Sequence, residues 1–388
     1  MHPYRTSARR LAMLLLCATL SACAMAPPAS VPPIFNDSAF APAIAIDAAQ
    51  VFAVSERMRQ YLQTDVNRAA RTGNPRVALY NALYDKRQLK LEYDASMTRN
   101  ASQTFDARSG NCLSLVIMTA ALAHAMNLHV RYQEVLSEEN WSRSGDMYFV
   151  AGHVNIVLGP RMDDSPYNYD ARGTLVIDFL PSSDVAGYRT REISEATILA
   201  MYMNNRAAET MSAGQLDQAY WWARNAILQD PSFSGAYNTL GVIQFRHGDR
   251  AEARQTLRYA LARAPDSTVL LANLAQLLEA TGLPEQAQPL RQRLLALQPE
   301  PPFHYFNLGR AAMERGDYAA AARLFGKEIA RDPYYHEFHF WLAQAYARLG
   351  QLPQAGQQLE LAMDNSLTHK DYGLYAAKLQ RLHALFPP

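Results

Sequence analysis

The sequence predicts two domains of different class: an α+β domain over residues 46–204 and an all-α solenoid of helical hairpins over residues 205–388. Three observations predict it. Glycine, alanine and proline recur in a 34-residue register through the second half. In the first half, a segment apolar on nearly every side, Leu113 to Met126, is followed by three stretches of strand composition. Of the chain's 3 cysteines, only Cys112 stands in a segment that reads as folded, directly ahead of that apolar run.

The chain opens on a basic start, Arg5, Arg9 and Arg10, then an apolar stretch, Leu11 to Leu20, too short to span a bilayer. It closes on Leu20-Ser-Ala-Cys23, which resembles the bacterial lipobox. The resemblance implies a signal peptide over residues 1–22 and acylation of Cys23. At about 0.8 kcal/mol per buried methylene, several acyl chains on one residue give stable membrane anchoring. Ala24, where sorted lipoproteins of the inner membrane carry Asp, implies the outer membrane, facing the periplasm. Residues 23–45 follow as a tether, with Pro27, Pro28, Pro32, Pro33 and Pro42 and no helical period. Loss of the leader removes three arginines and no acids, taking the net charge from +1 to −2. That near balance argues against nucleic acid as a partner. No later apolar run approaches a membrane span.

In the α+β domain, Ala49 to Leu62 and Pro75 to Leu83 carry the three-and-four spacing of helices. The Cys112 helix is apolar all round, as a buried central helix is, and Asn127 offers its stop. His129 to Val135, Tyr148 to Leu158 and Thr174 to Phe179 are rich in β-branched and aromatic residues, as strands are. Helix followed by strands implies an antiparallel sheet packed on the cysteine's helix.

Candidate chemistry sits on these elements. A thiol at a helix N-terminus meets unpaired backbone N–H groups and a dipole that favour the nucleophilic thiolate. Downstream stand His153, in Gly-His-Val-Asn, and Asp178, in Val-Ile-Asp-Phe, each on its own strand. Alternation places His153 and Asn155 on one face, with Val154 and Ile156 on the other. His124, on the Cys112 helix, and His129 are poorer base candidates. Arg108 reads as support for the loop before the cysteine, and Asp163 and Asp164 as a solvated turn.

The stretch Phe105-Asp-Ala-Arg-Ser-Gly-Asn-Cys112, its helix, and Asn127-Leu-His-Val-Arg-Tyr132 resemble the transglutaminase-like, papain-like cysteine domains. His153 and Asp178 fall where that family places its histidine and acid. The chain departs from the family at two points: Val154-Asn155 where a tryptophan usually follows the histidine, and Leu113-Ser114 where an acid often follows the cysteine. The resemblance implies a Cys112–His153–Asp178 triad that forms a thioester, resolved by water or by an amine. The alternative is an adaptor in which the same domain only packs or binds proteins. Neither reading requires a cofactor or a metal.

After residue 205, Gly214, Gly248, Gly282, Gly316 and Gly350 share one register. So do Ala219, Ala253, Ala287, Ala321 and Ala355, and so do Pro231, Pro265, Pro299 and Pro333. Glycine suits the left-handed cap of a first helix, alanine a close helix crossing, and proline a helix start. The period and pattern resemble the tetratricopeptide repeat, in about five units, the last degenerate with Leu367 where a proline is due. Such solenoids present a groove to a protein or peptide partner. Tyr334 to Trp341 is an aromatic run of which half must be core in an amphipathic helix. His336 and His339 share a helix face without a further metal ligand in view, and Trp221 and Trp222 read as packing near the domain junction.

Overall fold

The computed structural model describes residues 34–42, 45–84, 89, 91–94, 97–144, 147–161, 174–179, 189–366 and 369–385. Cys23, Asp163, Asp164 and Leu367 lie outside them. Residues up to Ala39 form a unit of their own, whose described part holds one 3-10 turn, Asp37–Ala39. The second unit, Phe40–Pro388, holds the α+β domain and the solenoid.

The first helical layer differs from its expected outline. Ala48–Gln50 is a single 3-10 turn, and α1 starts only at Glu56, where the Ser55 side chain accepts the Met58 N–H. From α1 (Glu56–Tyr61) the helix passes through a π-helical segment, Leu62–Val66, into α2 (Asn67–Thr72). Then come α3 (Pro75–Tyr84), β1 (Glu92–Tyr93), α4 (Ala101–Ala107) and β2 (Ser109–Gly110). The short α4, capped by a reciprocal Asn100–Gln103 box, was not evident from apolar spacing.

Helix α5 runs Cys112–Ala125, and its residues from Leu113 to Ala123 are all buried. Asn127, with φ 59°, stands just beyond it in the left-handed region that ends helices. An antiparallel sheet of order β5-β4-β3-β6 packs against α5, built from β3 (Leu128–Ser144), β4 (Met147–Arg161), β5 (Leu175–Ile177) and β6 (Arg189–Ile193). Val154, Ile156 and Leu158 of β4 and Ile177 of β5 are buried, and so are Asn155 and Val157 between them, so burial does not alternate along this part of β4. Two features were not expected. β6 reads Arg-Thr-Arg-Glu-Ile and lacks an apolar face; it is held at the sheet edge by pairing with Tyr132 to Leu136 and by the ion pairs Arg191–Glu134 and Arg131–Glu192. The β3–β4 ribbon also runs far beyond Val135, through a polar stretch with no alternation to reveal it.

Helix α6 (Glu195–Ser212) runs across residue 204, and ten helices follow: α7 (Leu216–Gln229), α8 (Ser234–His247), α9 (Arg250–Arg263), α10 (Thr268–Ala280), α11 (Pro284–Leu297), α12 (His304–Glu314), α13 (Tyr318–Arg331), α14 (His336–Arg348), α15 (Leu352–Asp364) and α16 (His369–Leu385). The five register glycines all have positive φ, from 75° to 107°, and each follows the first helix of a pair. The five register alanines are at most 1% exposed, where second helices cross first ones. The prolines do something other than expected. Pro231, Pro265 and Pro333 directly follow the C-caps Asp230, Ala264 and Asp332, three residues ahead of the next helix. They stop the second helix of each pair, which a residue without an N–H cannot continue; they do not start the first. Within residues 40–41, Phe40 stacks on Tyr220 (3.9 Å, 6°), while Trp221 Nε1 donates to the Ala41 carbonyl at 2.7 Å.

Packing along the array is tight where glycine allows it. A Cβ on Gly309 would lie 2.6 Å from the fully buried Phe325 ring, whereas one on Gly326 would meet nothing within 4 Å. Gly309→Ala is therefore expected to destabilise by about 1–3 kcal/mol through overpacking. Gly326→Ala, in mid-helix, is expected to stabilise by about 0.5–1 kcal/mol. Chemical denaturation followed by circular dichroism measures both, and opposite signs are the expected result.

Candidate active site

The cysteine's position is set by the turn before it. Asn111 is the N-cap of α5: its Oδ1 accepts from the Ser114 N–H at 2.9 Å and from the Ser114 hydroxyl at 2.8 Å. Its Nδ2 donates to Thr98 Oγ1 at 2.9 Å, and Ser114 Oγ accepts the Arg99 N–H at 2.9 Å. Gly110 precedes the cap because nothing larger fits, a Cβ there lying 2.8 Å from that of Ser114. β2 is further held by parallel pairing with β1 and by Arg99, which bridges Asp94 at 2.8 Å and reaches the Ser109 carbonyl at 3.4 Å. From the far side, Glu209 of α6 accepts the Thr98 N–H at 2.7 Å, and Asn205 donates to Thr98 Oγ1 at 3.2 Å. Burial pushes the Glu209 carboxyl up, against the lowering pull of Thr98 and Arg206.

Cys112, half-buried and a free thiol, is thus the first residue of α5, where backbone N–H groups have no intrahelical partner. Arg108, read as the loop's support, is exposed and left-handed (φ 52°) and caps α4; Arg99 is the arginine that braces the loop. The signal was present in Asp94 and Arg99 at loop spacing, but nothing in the sequence said that the two meet.

His153, on β4, and Asp178, one residue past β5, meet as expected: Nε2 lies 2.8 Å from Asp178 Oδ1, with side chains 10% and 15% exposed. The second carboxylate oxygen, Oδ2, accepts from Asn155 Nδ2 at 3.2 Å. Tyr84 of α3 donates its hydroxyl to the Asp178 carbonyl at 2.5 Å, and its ring stacks near Phe179 (6.1 Å, 12°). Burial, with smaller contributions from Tyr80 and Asp178, pushes the Tyr84 phenol up to about 12, so it remains a donor at ordinary pH. Asn155 thus steadies Asp178, and Ser114 fastens the start of α5.

Burial alone would lower the proton affinity of His153. The hydrogen bond to Asp178, with the charge interactions of Asp178 and Cys112, outweighs it and raises the imidazole from its ordinary 6.5 to about 9. Asp178 occupies Nε2, while Nδ1 is buried and has no hydrogen-bond partner among the described residues. The arrangement can hold a proton on the ring and release it to a group that meets Nδ1.

The other candidates sit elsewhere. His124 lies 3.8 Å from Glu195, and His129 lies beside Gly159. In the aromatic run, His336 Nδ1 bonds the Tyr375 hydroxyl (2.7 Å), and His339 bonds Gln358 (2.7 Å) and the Pro333 carbonyl (2.9 Å). Among the described residues no group of three or more His, Cys, Asp or Glu could hold a metal ion, and no helix is long and apolar enough to cross a membrane.

Tetratricopeptide-repeat models match residues 211–268 and 306–366, and a further one matches 244–308. The C-terminal half is thus a solenoid of tetratricopeptide repeats, units that mediate protein–protein interaction. Solved structures similar to this part include TTC0263, a TPR protein of Thermus thermophilus (19% identity, TM-score 0.37, covering 47% of this chain and 99% of that one). YrrB, a TPR protein described as having an unusual peptide-binding site, is 24% identical (TM-score 0.27, covering 46% and 92%). PilF of Pseudomonas aeruginosa is 20% identical (TM-score 0.33, covering 48% and 92%). No curated protein matches the chain.

The raised proton affinity of His153 has a sign that can be checked. A folded-state value above the unfolded one contributes stability that is complete below about pH 6.5 and is lost as pH rises through about 9. Urea unfolding at these two pH values is expected to show the parent losing stability across the window. Asp178→Asn is expected to lose markedly less, because its histidine no longer holds the proton.

Proposed function

We propose that the chain is a cysteine-dependent hydrolase or acyltransferase of transglutaminase-like type, acting on an amide or peptide. Cys112 is the nucleophile, His153 the base and Asp178 the residue that orients it. The observation that carries this reading is His153 held on Asp178 at 2.8 Å in the domain whose buried helix α5 begins at the free thiol of Cys112.

In this reading His153 takes the thiol proton, and the sulfur attacks the acyl carbon. The Cys112 N–H, free by its place in the first helical turn, supports the developing oxyanion. The imidazolium protonates the departing amine, leaving a thioester. Water then attacks with His153 as base and releases the acid; a lysine amine in its place gives a cross-link. Acylation of Cys23 would hold the enzyme at the periplasmic face of the outer membrane, with residues 23–45 as tether, 46–204 as the catalytic domain and 205–388 as repeats for a protein partner.

The second reading, an adaptor without catalysis, is favoured by the repeats alone. Alkylation of Cys112 by iodoacetamide against pH separates the two. The expected result is fast modification persisting well below pH 8 and lost in His153→Ala. Slow modification with an ordinary thiol profile in both proteins would leave the adaptor.

A further inference from the structure

The tip of the β3–β4 ribbon is seated on the first helices of four consecutive repeats. Three asparagines, 35 and 34 residues apart, converge on Tyr148. Asn273 of α10 accepts the Tyr148 N–H at 2.8 Å and donates to its carbonyl at 2.7 Å. Asn238 of α8 donates to the same carbonyl at 3.1 Å, and its Oδ1 accepts from Asn273 at 2.8 Å. Asn307 of α12 donates to the Tyr148 hydroxyl at 2.8 Å. The ring joins the repeat core through Phe303, 5.5 Å away. Across the ribbon, Arg143 pairs with Glu337 of α14, its guanidinium lies 4.6 Å from the centre of the Phe306 ring, and its N–H donates to Tyr335 Oη at 3.3 Å.

Two features set this apart from ordinary domain packing. Asn273 satisfies both main-chain groups of one residue, the way a neighbouring strand would. Asn238 and Asn273 are 3% and 0% exposed, and buried amides are costly unless hydrogen-bonded, as these are to each other and to the Tyr148 main chain.

We propose that this face of the repeats is a receptor for an extended, tyrosine-bearing strand, that its occupant is the chain's own β3–β4 ribbon, and that this docking positions His153. The last clause rests on the function proposed above. β4 is continuous from Met147 to Arg161, so Tyr148 and His153 lie on one strand about 17 Å apart. The irregularity between them falls on β3, where Val135 pairs with His153 but the next pair is Asn140 with Ala151. The extra residues loop out of β3 and leave β4 as the straight connection. A partner protein that uses this face must first displace the ribbon, and in doing so would release the strand that carries the histidine.

The test uses the full chain as parent, Asn238→Ala/Asn273→Ala and Tyr148→Phe, with hydrogen–deuterium exchange and Cys112 alkylation across pH on the same samples. In the double variant, amide exchange at residues 147–149 is expected to rise by more than about tenfold, the loss of several hydrogen bonds. Its alkylation profile is expected to shift toward that of His153→Ala, with exchange in α5 unchanged. Tyr148→Phe removes one hydroxyl and no main-chain bond, so it gives a second reading should the double variant fail to fold; about fivefold faster exchange at the same residues is expected. Parent-like exchange at residues 147–149 in these variants overturns the docking. Faster exchange with an unchanged alkylation profile overturns the positioning of His153. Should His153→Ala alkylate as the parent does, the proposed function falls, and the exchange comparison still decides the docking.

Discussion

Strand β4 is the constraint on which the rest of the chain depends. Its inward residues Val154, Ile156 and Leu158 are at most 1% exposed against α5, so the strand cannot slide without exposing that core. Its backbone pairs with β3 on one side and β5 on the other, which brings Asp178 opposite the residues that need it. Its N-terminal end is gripped by three asparagines of the repeats. One strand therefore carries the core of the α+β domain, the histidine of the candidate site and the contact with the solenoid.

The electrostatics of the site follow from that geometry. A histidine that is 10% exposed has lost most of the water that would stabilise its charge. The hydrogen bond to Asp178 raises its proton affinity against that burial, and Asp178 is itself steadied by Asn155 and by Tyr84 through its carbonyl. The cysteine's place owes nothing to this group. It is set by Asn111, Gly110, Ser114 and Arg99, a network that reaches through Thr98 to Glu209 on α6. The cysteine and the histidine are thus braced by separate networks.

Much of this was legible in the sequence because it is local or periodic. The repeats announce themselves by register, the all-round apolar helix by composition, and the three strands, two of which carry His153 and Asp178, by their β-branched residues. What was not legible depends on tertiary partners. The 34-residue prolines share one register whether they end one helix or begin the next, so only the observed boundaries separate the two readings. The polar extension of β3 and the charged β6 are strands by pairing and not by pattern. Asn238, Asn273 and Asn307 repeat visibly, but three asparagines carry no meaning until a strand is seen to lie across them. Arg108 lies nearer the cysteine in sequence than Arg99, yet Arg99 is the one that reaches Asp94 and the Ser109 carbonyl, a pairing that only the fold reveals.

The proposed chemistry requires Cys112 and His153 to stand side by side, and a bifunctional alkylating reagent tests that directly. Treatment of the folded chain with 1,3-dibromoacetone, digestion and mass spectrometry would reveal what the reagent bridges. Rapid modification and a peptide pair joined through Cys112 and His153 are the predicted result. A mono-adduct on Cys112 with no histidine attached, or a bridge to another residue, would contradict it.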